Sequence, residues 1–141
     1  MPAPGPEALD LGRAVGVGVD VVGITAFAAQ LEEPGTRFAR VFTPAERRTA
    51  RGEAQRLAAR WAAKEAVVKA WSSTRFGRPE VIDPDHVDLR EIEVRTDAWG
   101  RPAIRLHGEV ARGMDGLTVL LSLSHDPAAD VAIAFVVLQE A

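Results

Sequence analysis

The longest helical pattern in the chain lies at residues 53–72 and reads EAQRLAARWAAKEAVVKAWS. Apolar side chains recur there every three or four positions, which is the spacing of one helix face: Leu57, Trp61, Val68, Trp71. Alanine, the strongest helix former, fills much of the remainder. We therefore predict one long central helix, which also holds both lysines of the chain, Lys64 and Lys69.

Length and composition bound what the protein can be. A chain of about 150 residues buries roughly 68–70% of its unfolded surface, so these 141 residues can form a stable core without disulfide bonds or a structural metal. With no cysteine, disulfides and thiol chemistry are excluded. The net charge of −3 argues against nucleic acid as a general partner. We predict a flexible Pro-rich tail at residues 1–13 and a single domain at 14–141.

The chain shows no signal-peptide pattern and no apolar run near the roughly 20 residues that span a membrane. We therefore expect a cytoplasmic protein without a membrane partner. The charge is nevertheless uneven. Residues 37–60 hold seven arginines against two glutamates, a local balance of 7 − 2 = +5 on an acidic chain. Such a segment predicts one surface that binds an anionic partner.

The remaining elements alternate in a way that indicates an α+β fold. We predict a strand at 15–22, a helix at 24–31, a helix that begins with a capping box of Thr43 and Glu46, and a long loop at 75–88. A strand at 91–96 should form a hairpin with 102–106, and buried strands should follow at 117–123 and 129–138. The fold class is an N-terminal strand and helices packed on a mainly antiparallel sheet.

The two lysines are unusual because every other basic position is arginine. Glu65 and Lys69 lie four positions apart and share a helix face, where they could simply form a surface ion pair. An arginine would serve that purpose equally well. Retained lysines point to a compact ammonium that can contact phosphate or donate a proton. Lys64 has a second interpretation, because its aliphatic stem could pack along the apolar face of the helix while its ammonium reaches solvent.

Asp20 follows a glycine-rich strand whose bare face allows close approach of another group. Alone it could be a turn residue. Together with Glu65 it supplies the one or two carboxylates that Mg²⁺ takes in phosphate-handling sites. Ser124 and His125 follow the predicted strand at 117–123, where they could either donate to phosphate or only form a turn.

These motifs resemble those of the 4′-phosphopantetheinyl transferases. Residues 17–20 (Val-Gly-Val-Asp) and 61–70 (Trp-Ala-Ala-Lys-Glu-Ala-Val-Val-Lys-Ala) are similar to the paired signature of that family. The short chain and the later motifs, including residues 99–102 (Trp-Gly-Arg-Pro) and 122–125 (Ser-Leu-Ser-His), are similar to its short stand-alone branch, the holo-[acyl-carrier-protein] synthases of actinobacterial type. The resemblance covers roughly residues 15–138.

The resemblance implies a 4′-phosphopantetheinyl transferase-like fold and transfer of 4′-phosphopantetheine from coenzyme A to a serine of an acyl carrier protein or fatty-acid synthase carrier domain, with release of 3′,5′-ADP. It implies that Asp20 and Glu65 hold Mg²⁺ and that Asp20, Glu65 and Lys69 are catalytic. The coenzyme A-binding residues that we expect from it are Lys64, Lys69, Ser73, Gly100, Pro102, Ser124, His125, Arg51 and Arg60. The carrier-docking residues are Arg37, Arg40, Arg47 and Arg48. The family also implies a homotrimer with active sites between subunits.

The chain departs from the family pattern at two places. Ala26 stands where many members have a basic residue that contacts the carrier, and Ser72-Ser73-Thr74 replaces a common Gly-Thr-Gly. Two alternatives to transfer stay open on the residues alone. One is a coenzyme A pyrophosphohydrolase without a protein acceptor, and the other is a non-catalytic module that binds coenzyme A or a carrier.

Overall fold

The computed structural model describes residues 13–141. Its main elements, in chain order, are β1 (Ala14–Gly23), α1 (Ile24–Glu32), α2 (Pro44–Ala50), α3 (Ala54–Ser73), β2 (Ile92–Thr96), β3 (Pro102–Leu106), α4 (Gly108–Gly113), β4 (Leu117–Asp126) and β5 (Val131–Glu140). Short 3-10 helices lie at Arg37–Arg40, Pro84–His86 and Leu89–Glu91. The predicted α+β order is confirmed. The predicted tail lies outside the described residues apart from Arg13.

The strands form two antiparallel sheets. One has three strands in the order β1-β5-β4, and the other is the predicted hairpin of β2 and β3. The pairing of β4 with β5 continues to Asp126 opposite Val131, so Ser124 and His125 lie within β4. The prediction that this strand ends at residue 123 is therefore wrong. The ladder extends further because the turn needs only residues 127–130, with Asp130 in a left-handed conformation (φ 57°).

The central helix α3 lies directly on β1. A Cβ atom at Gly18 would collide with the backbone carbonyl of Ala66, and one at Gly16 would collide with that of Ala70. The bare face predicted for this strand is therefore filled by the backbone of α3. Because side chains alternate along a strand, Asp20 shares the face of these glycines and points toward the same helix. This contact positions the site described below.

The core forms around α3, whose alanines at 58, 62, 63, 66 and 70 are fully buried. The helix before it begins with the predicted capping box: Thr43 Oγ1 accepts a hydrogen bond from Glu46 N, and Glu46 Oε1 accepts one from Thr43 N. It ends where Arg51 adopts a left-handed conformation, directly before Gly52. Within residues 13–141, no helix has the length and apolar character needed to cross a membrane.

The opposite face of the three-stranded sheet is apolar and uncovered. The valines at 17, 19 and 21 of β1 are each more than half exposed, and Leu120, Ile133 and Phe135 of the neighbouring strands are also exposed. These six residues are called the outer sheet face below. A patch of this kind is typical of an interaction surface.

Candidate functional site

The structure brings Asp20 and Lys69 into direct contact. Lys69 Nζ lies 2.8 Å from Asp20 Oδ1 and 3.2 Å from the carbonyl oxygen of Val19. The Asp20 side chain is only 15% exposed, whereas that of Lys69 is 55% exposed. Lys69 therefore approaches the carboxylate from solvent, and a modest movement would free its ammonium for another anion.

Glu65 lies one helical turn before Lys69 on the same face of α3. Its Oε1 is 3.9 Å from a guanidinium nitrogen of Arg37, and its side chain is 28% exposed. Partial burial raises the pKa of Glu65, and the negative charge of Asp20 raises it further, while Arg37 and Lys69 act in the opposite direction. The two carboxylates are thus close enough to repel each other, although 45 positions of sequence separate them.

A divalent cation fits this pair of carboxylates. Within the described part of the chain, no group of three or more His, Cys, Asp or Glu side chains could hold a metal ion. Mg²⁺, however, commonly takes only one or two protein carboxylates and completes its shell with water and phosphate oxygens. A cation between Asp20 and Glu65 would also remove the repulsion that raises the pKa of Glu65. The predicted metal ligands therefore have suitable chemistry and placement.

Two clefts adjoin Glu65. One, of about 480 Å³, lies against β1 and α1 and is lined by residues that include Asp20, Ala26, Arg37, Trp61 and Glu65. The other, of about 750 Å³, extends toward the 84–90 segment and is lined by residues that include Arg37, Arg40, Glu65 and Arg90. Arg37 stands between them, with its guanidinium 5.5 Å from the Trp61 ring. We did not predict Arg90, whose isolated position in the sequence gives no sign of this cleft.

A third cleft, of about 370 Å³, contains four of the predicted coenzyme A-binding residues. Its lining residues are Thr49, Arg56, Ala59, Arg60, Val94, Thr96, Gly100, Pro102, Leu123 and His125. The β2–β3 hairpin places Gly100 and Pro102 there, and alternation along β4 places His125 on the same face as Leu123. Ser124 therefore points to the opposite face. Thr49 and Arg56 were not predicted, although Arg56 lies one helical turn before Arg60.

Arg60 is held at the floor of this third cleft. Its residue is only 6% exposed, and its terminal nitrogens donate to the carbonyl of Arg56 and to Thr49 Oγ1, each at 3.1 Å. Its Nε is buried without a partner. Burial lowers the pKa of Arg60. A buried guanidinium with an unsatisfied donor is suited to an anionic or acceptor-rich ligand.

Two of the predicted coenzyme A-binding residues, Lys64 and Ser73, make their observed contacts within the protein. Lys64 is fully buried, and its ammonium contacts Glu46 and two backbone carbonyls. The prediction that Lys64 contacts phosphate is therefore corrected, because no proton of its ammonium is available. The hydroxyl of Ser73 accepts a hydrogen bond from Val17 N and donates one to Ala70 O, which ties the end of α3 to β1.

The predicted docking arginines fall in two places. Arg37 and Arg40 lie beside Glu65, in the clefts described above. Arg47 and Arg48 are exposed in the last turn of α2, where the Arg47 guanidinium lies 6.0 Å from the Phe42 ring. Arg51, predicted to bind coenzyme A, is exposed at the end of the same helix and lines none of the three clefts.

Known proteins are similar to this chain in sequence and fold. The family model of the 4′-phosphopantetheinyl transferase superfamily matches residues 16–136. A holo-[acyl-carrier-protein] synthase of Mycolicibacterium smegmatis is 51% identical over 127 residues, covering 86% of this chain and 95% of its own. One from Mycobacterium ulcerans is 54% identical over 125 residues, covering 84% and 95%.

Solved structures agree with these relatives. The ACPS–CoA complex of Chronobacterium ammoniagenes is 48% identical and superimposes with a TM-score of 0.83, covering 89% of this chain and 97% of that one. The holo-[acyl-carrier-protein] synthase of Helicobacter pylori in complex with coenzyme A is 25% identical, with a TM-score of 0.72 and coverage of 87% and 99%. The predicted family, fold and enzyme class are confirmed. The chain belongs to the 4′-phosphopantetheinyl transferase superfamily.

Proposed function

We propose that this protein transfers the 4′-phosphopantetheine arm of coenzyme A to a serine hydroxyl of an acyl carrier protein or carrier domain, in the cytoplasm, and releases 3′,5′-ADP. The observation that supports it most is the convergence of Asp20, Glu65 and Lys69 at the contact of β1 with α3. Relatives with about half of their residues identical are holo-[acyl-carrier-protein] synthases, and a solved relative binds coenzyme A.

The three side chains have complementary tasks in this reaction. Glu65, which lines the cleft beside Asp20, takes the proton of the serine hydroxyl. The serine oxygen attacks the β-phosphorus, and the bond from that phosphorus to the bridging oxygen breaks. Lys69, released from Asp20, donates a hydrogen bond or a proton to the departing 3′,5′-ADP. Atoms and charge balance without any further reactant.

Asp20 and Glu65 are the residues that would hold Mg²⁺. When bound, the ion supplies positive charge to the pyrophosphate, which is where catalysis of phosphoryl transfer gains most. The repulsion between the two carboxylates supports this assignment. Arg60, Gly100, Pro102 and His125 are proposed to bind the nucleotide part of coenzyme A, because they line one cleft that also contains the guanidinium group of Arg56.

A homotrimer with active sites between subunits would unite the two sets of residues. Asp20 and Glu65 line one cleft, whereas Arg60 and His125 line another that shares no residue with it. The outer sheet face offers an apolar surface on which a second copy could pack. Both observations support an assembly in which one subunit provides the carboxylates and its neighbour the nucleotide cleft.

Carrier docking is proposed at the exposed arginines beside the catalytic cleft. Carrier proteins are acidic, and a basic surface accelerates their encounter and sets their orientation. Arg37 and Arg40 border Glu65 directly, and Arg47 and Arg48 extend the positive surface along α2. Ala26, which also lines the cleft at Asp20, leaves that side without a basic contact.

The test is incubation of the protein with coenzyme A, Mg²⁺ and an apo carrier protein, followed by mass spectrometry. Addition of one phosphopantetheine arm to one serine supports the proposal. Free phosphopantetheine with an unmodified carrier would instead indicate a pyrophosphohydrolase, and no product at all would indicate a binding module. Glu65→Gln serves as the control that should abolish transfer.

The shared-site assembly has its own experiment. Asp20→Asn and His125→Ala variants should each be inactive alone. If sites form between subunits, mixing the two under conditions of subunit exchange restores activity, because some sites then combine an intact carboxylate pair with an intact nucleotide cleft. Failure of the exchanged mixture to regain activity would contradict the assembly while leaving the chemistry untouched.

A further inference from the structure

The buried ion pair of Lys64 and Glu46 is not used by the proposed chemistry. Both side chains are fully buried, and Lys64 Nζ lies 2.9 Å from Glu46 Oε1. Charged groups are rarely buried completely, because each loses its hydration. A pair kept at this position therefore calls for an explanation beyond a surface contact.

Every polar atom of the pair has a partner. Lys64 Nζ donates to Glu46 and, at 2.7 Å each, to the carbonyl oxygens of Leu89 and Ile92. The second carboxylate oxygen of Glu46 accepts a hydrogen bond from Val94 N at 2.9 Å. One ammonium and one carboxylate thus connect α2, α3, β2 and the 3-10 segment that precedes β2.

This arrangement explains why position 64 holds lysine in a chain whose basic residues, apart from Lys64 and Lys69, are all arginine. The three acceptors of Lys64 belong to three different residues, which suits the three diverging protons of an ammonium. A guanidinium is planar, larger and carries five donors, so it would leave protons unsatisfied in a fully enclosed space. The retained lysine at this position therefore reflects enclosure by backbone carbonyls.

We propose that Lys64 and Glu46 are positioning residues for the catalytic Glu65, an inference that rests on the proposed function. Glu65 follows Lys64 directly on α3, so the direction in which Lys64 is held fixes the rotation of the helix at that turn. The other side of the helix is held by the contact of Ala66 with Gly18. Between these two attachments, Glu65 is directed into the cleft that Asp20 also lines and into the neighbouring cleft toward the 84–90 segment.

The inference is tested with the full-length protein in two variants. Lys64→Met removes the ammonium at similar length, and Glu46→Gln keeps the shape while removing the negative charge. Met114→Ala is the matched control, because Met114 is equally buried in the core but belongs to no catalytic or binding cluster. Circular dichroism gives the folded fraction, and steady-state transfer to an apo carrier gives kcat and the KM for coenzyme A.

A positioning role predicts that kcat per folded molecule falls about 10- to 100-fold in both variants, since misplacement of a catalytic group by about 1 Å has an effect of this order. The KM for coenzyme A should stay within about twofold of wild type. Met114→Ala, at comparable loss of stability, should keep its kcat. If Lys64→Met does not fold, the kcat of Glu46→Gln alone tests the positioning role.

Three outcomes would overturn the inference. One is a kcat of the folded variants equal to that of Met114→Ala, and a second is a loss expressed only in KM. A third is failure of both variants to fold, which would show that the pair serves folding. If wild type itself transfers nothing to the carrier, the proposed function fails first, whereas an active wild type with unaffected variants refutes only the positioning role.

Discussion

Substitution of Lys64 by methionine should destabilise the protein far more than the same substitution at Lys69. Lys64→Met leaves the carboxylate of Glu46 buried without its cation and leaves two buried carbonyl oxygens, of Leu89 and Ile92, without a donor. Removal of one partner of a buried pair costs about 3–5 kcal/mol in the free energy of unfolding. The Lys69 side chain is 55% exposed, and loss of an exposed pair costs about 0–1 kcal/mol.

The measurement is urea denaturation of both variants and wild type at neutral pH, followed by circular dichroism. In thermal unfolding, a loss of about 3–5 kcal/mol in the free energy of unfolding corresponds to a decrease in Tm of roughly 10–20 °C for a domain of this size. Equal stability losses in the two variants would refute the reasoning, since they would show that burial of Lys64 has no energetic consequence.

Three further predictions concern the site and its support. Glu65→Gln should abolish transfer yet raise the free energy of unfolding at neutral pH. Because the pKa of Glu65 is raised in the folded state, the folded protein binds the proton of this carboxyl more tightly than the unfolded chain does. The wild-type protein therefore loses stability as the pH rises through that pKa, whereas the glutamine variant does not. The gain should vanish in acid in paired urea titrations, and an equal gain at every pH would contradict it. Gly18→Ala should cost about 1–3 kcal/mol, measured by thermal unfolding, because its Cβ would meet the α3 backbone; an unchanged Tm would disprove the close contact. Arg40→Glu should lower kcat/KM for an acidic carrier about tenfold and weaken its salt dependence, while Arg105→Glu, on an exposed strand position, should not; equal effects of the two would argue against localised docking.

The sequence was sufficient to predict the elements whose signals are local. The apolar period of α3, the capping box at Thr43 and the β2–β3 hairpin depend on neighbouring residues, and all three are present. The glycines of β1 also indicated, correctly, that another group lies close to this strand. The grouping of Asp20 with Lys69 rested instead on their shared suitability for phosphate chemistry and on the family resemblance. That the approaching group is α3 itself could not be read from spacing, since 49 positions separate the two residues.

Lys64 shows where such inference fails. Its acceptors are backbone carbonyls that lie 25 and 28 positions further along the chain. Every residue has a backbone carbonyl, so no sequence motif indicates which carbonyls an ammonium will contact. The lysine at position 64 correctly indicated a role that arginine could not fill, but the predicted phosphate partner was wrong. Glu46 was predicted only as a capping residue, although the same carboxylate also neutralises Lys64.

The bare glycines of β1 have a consequence for strand register. Within residues 13–141, β1 lies at the edge of its sheet and pairs only with β5, an arrangement that would ordinarily permit slippage. A slip by one residue would drive Val17 or Val19 into the backbone of α3, and it would turn Asp20 outward onto the apolar surface. The native register therefore places the Asp20 carboxylate toward α3 and, at the same time, the valines on the outer sheet face. Any disturbance of this strand should therefore remove the proposed catalysis and the proposed subunit association together.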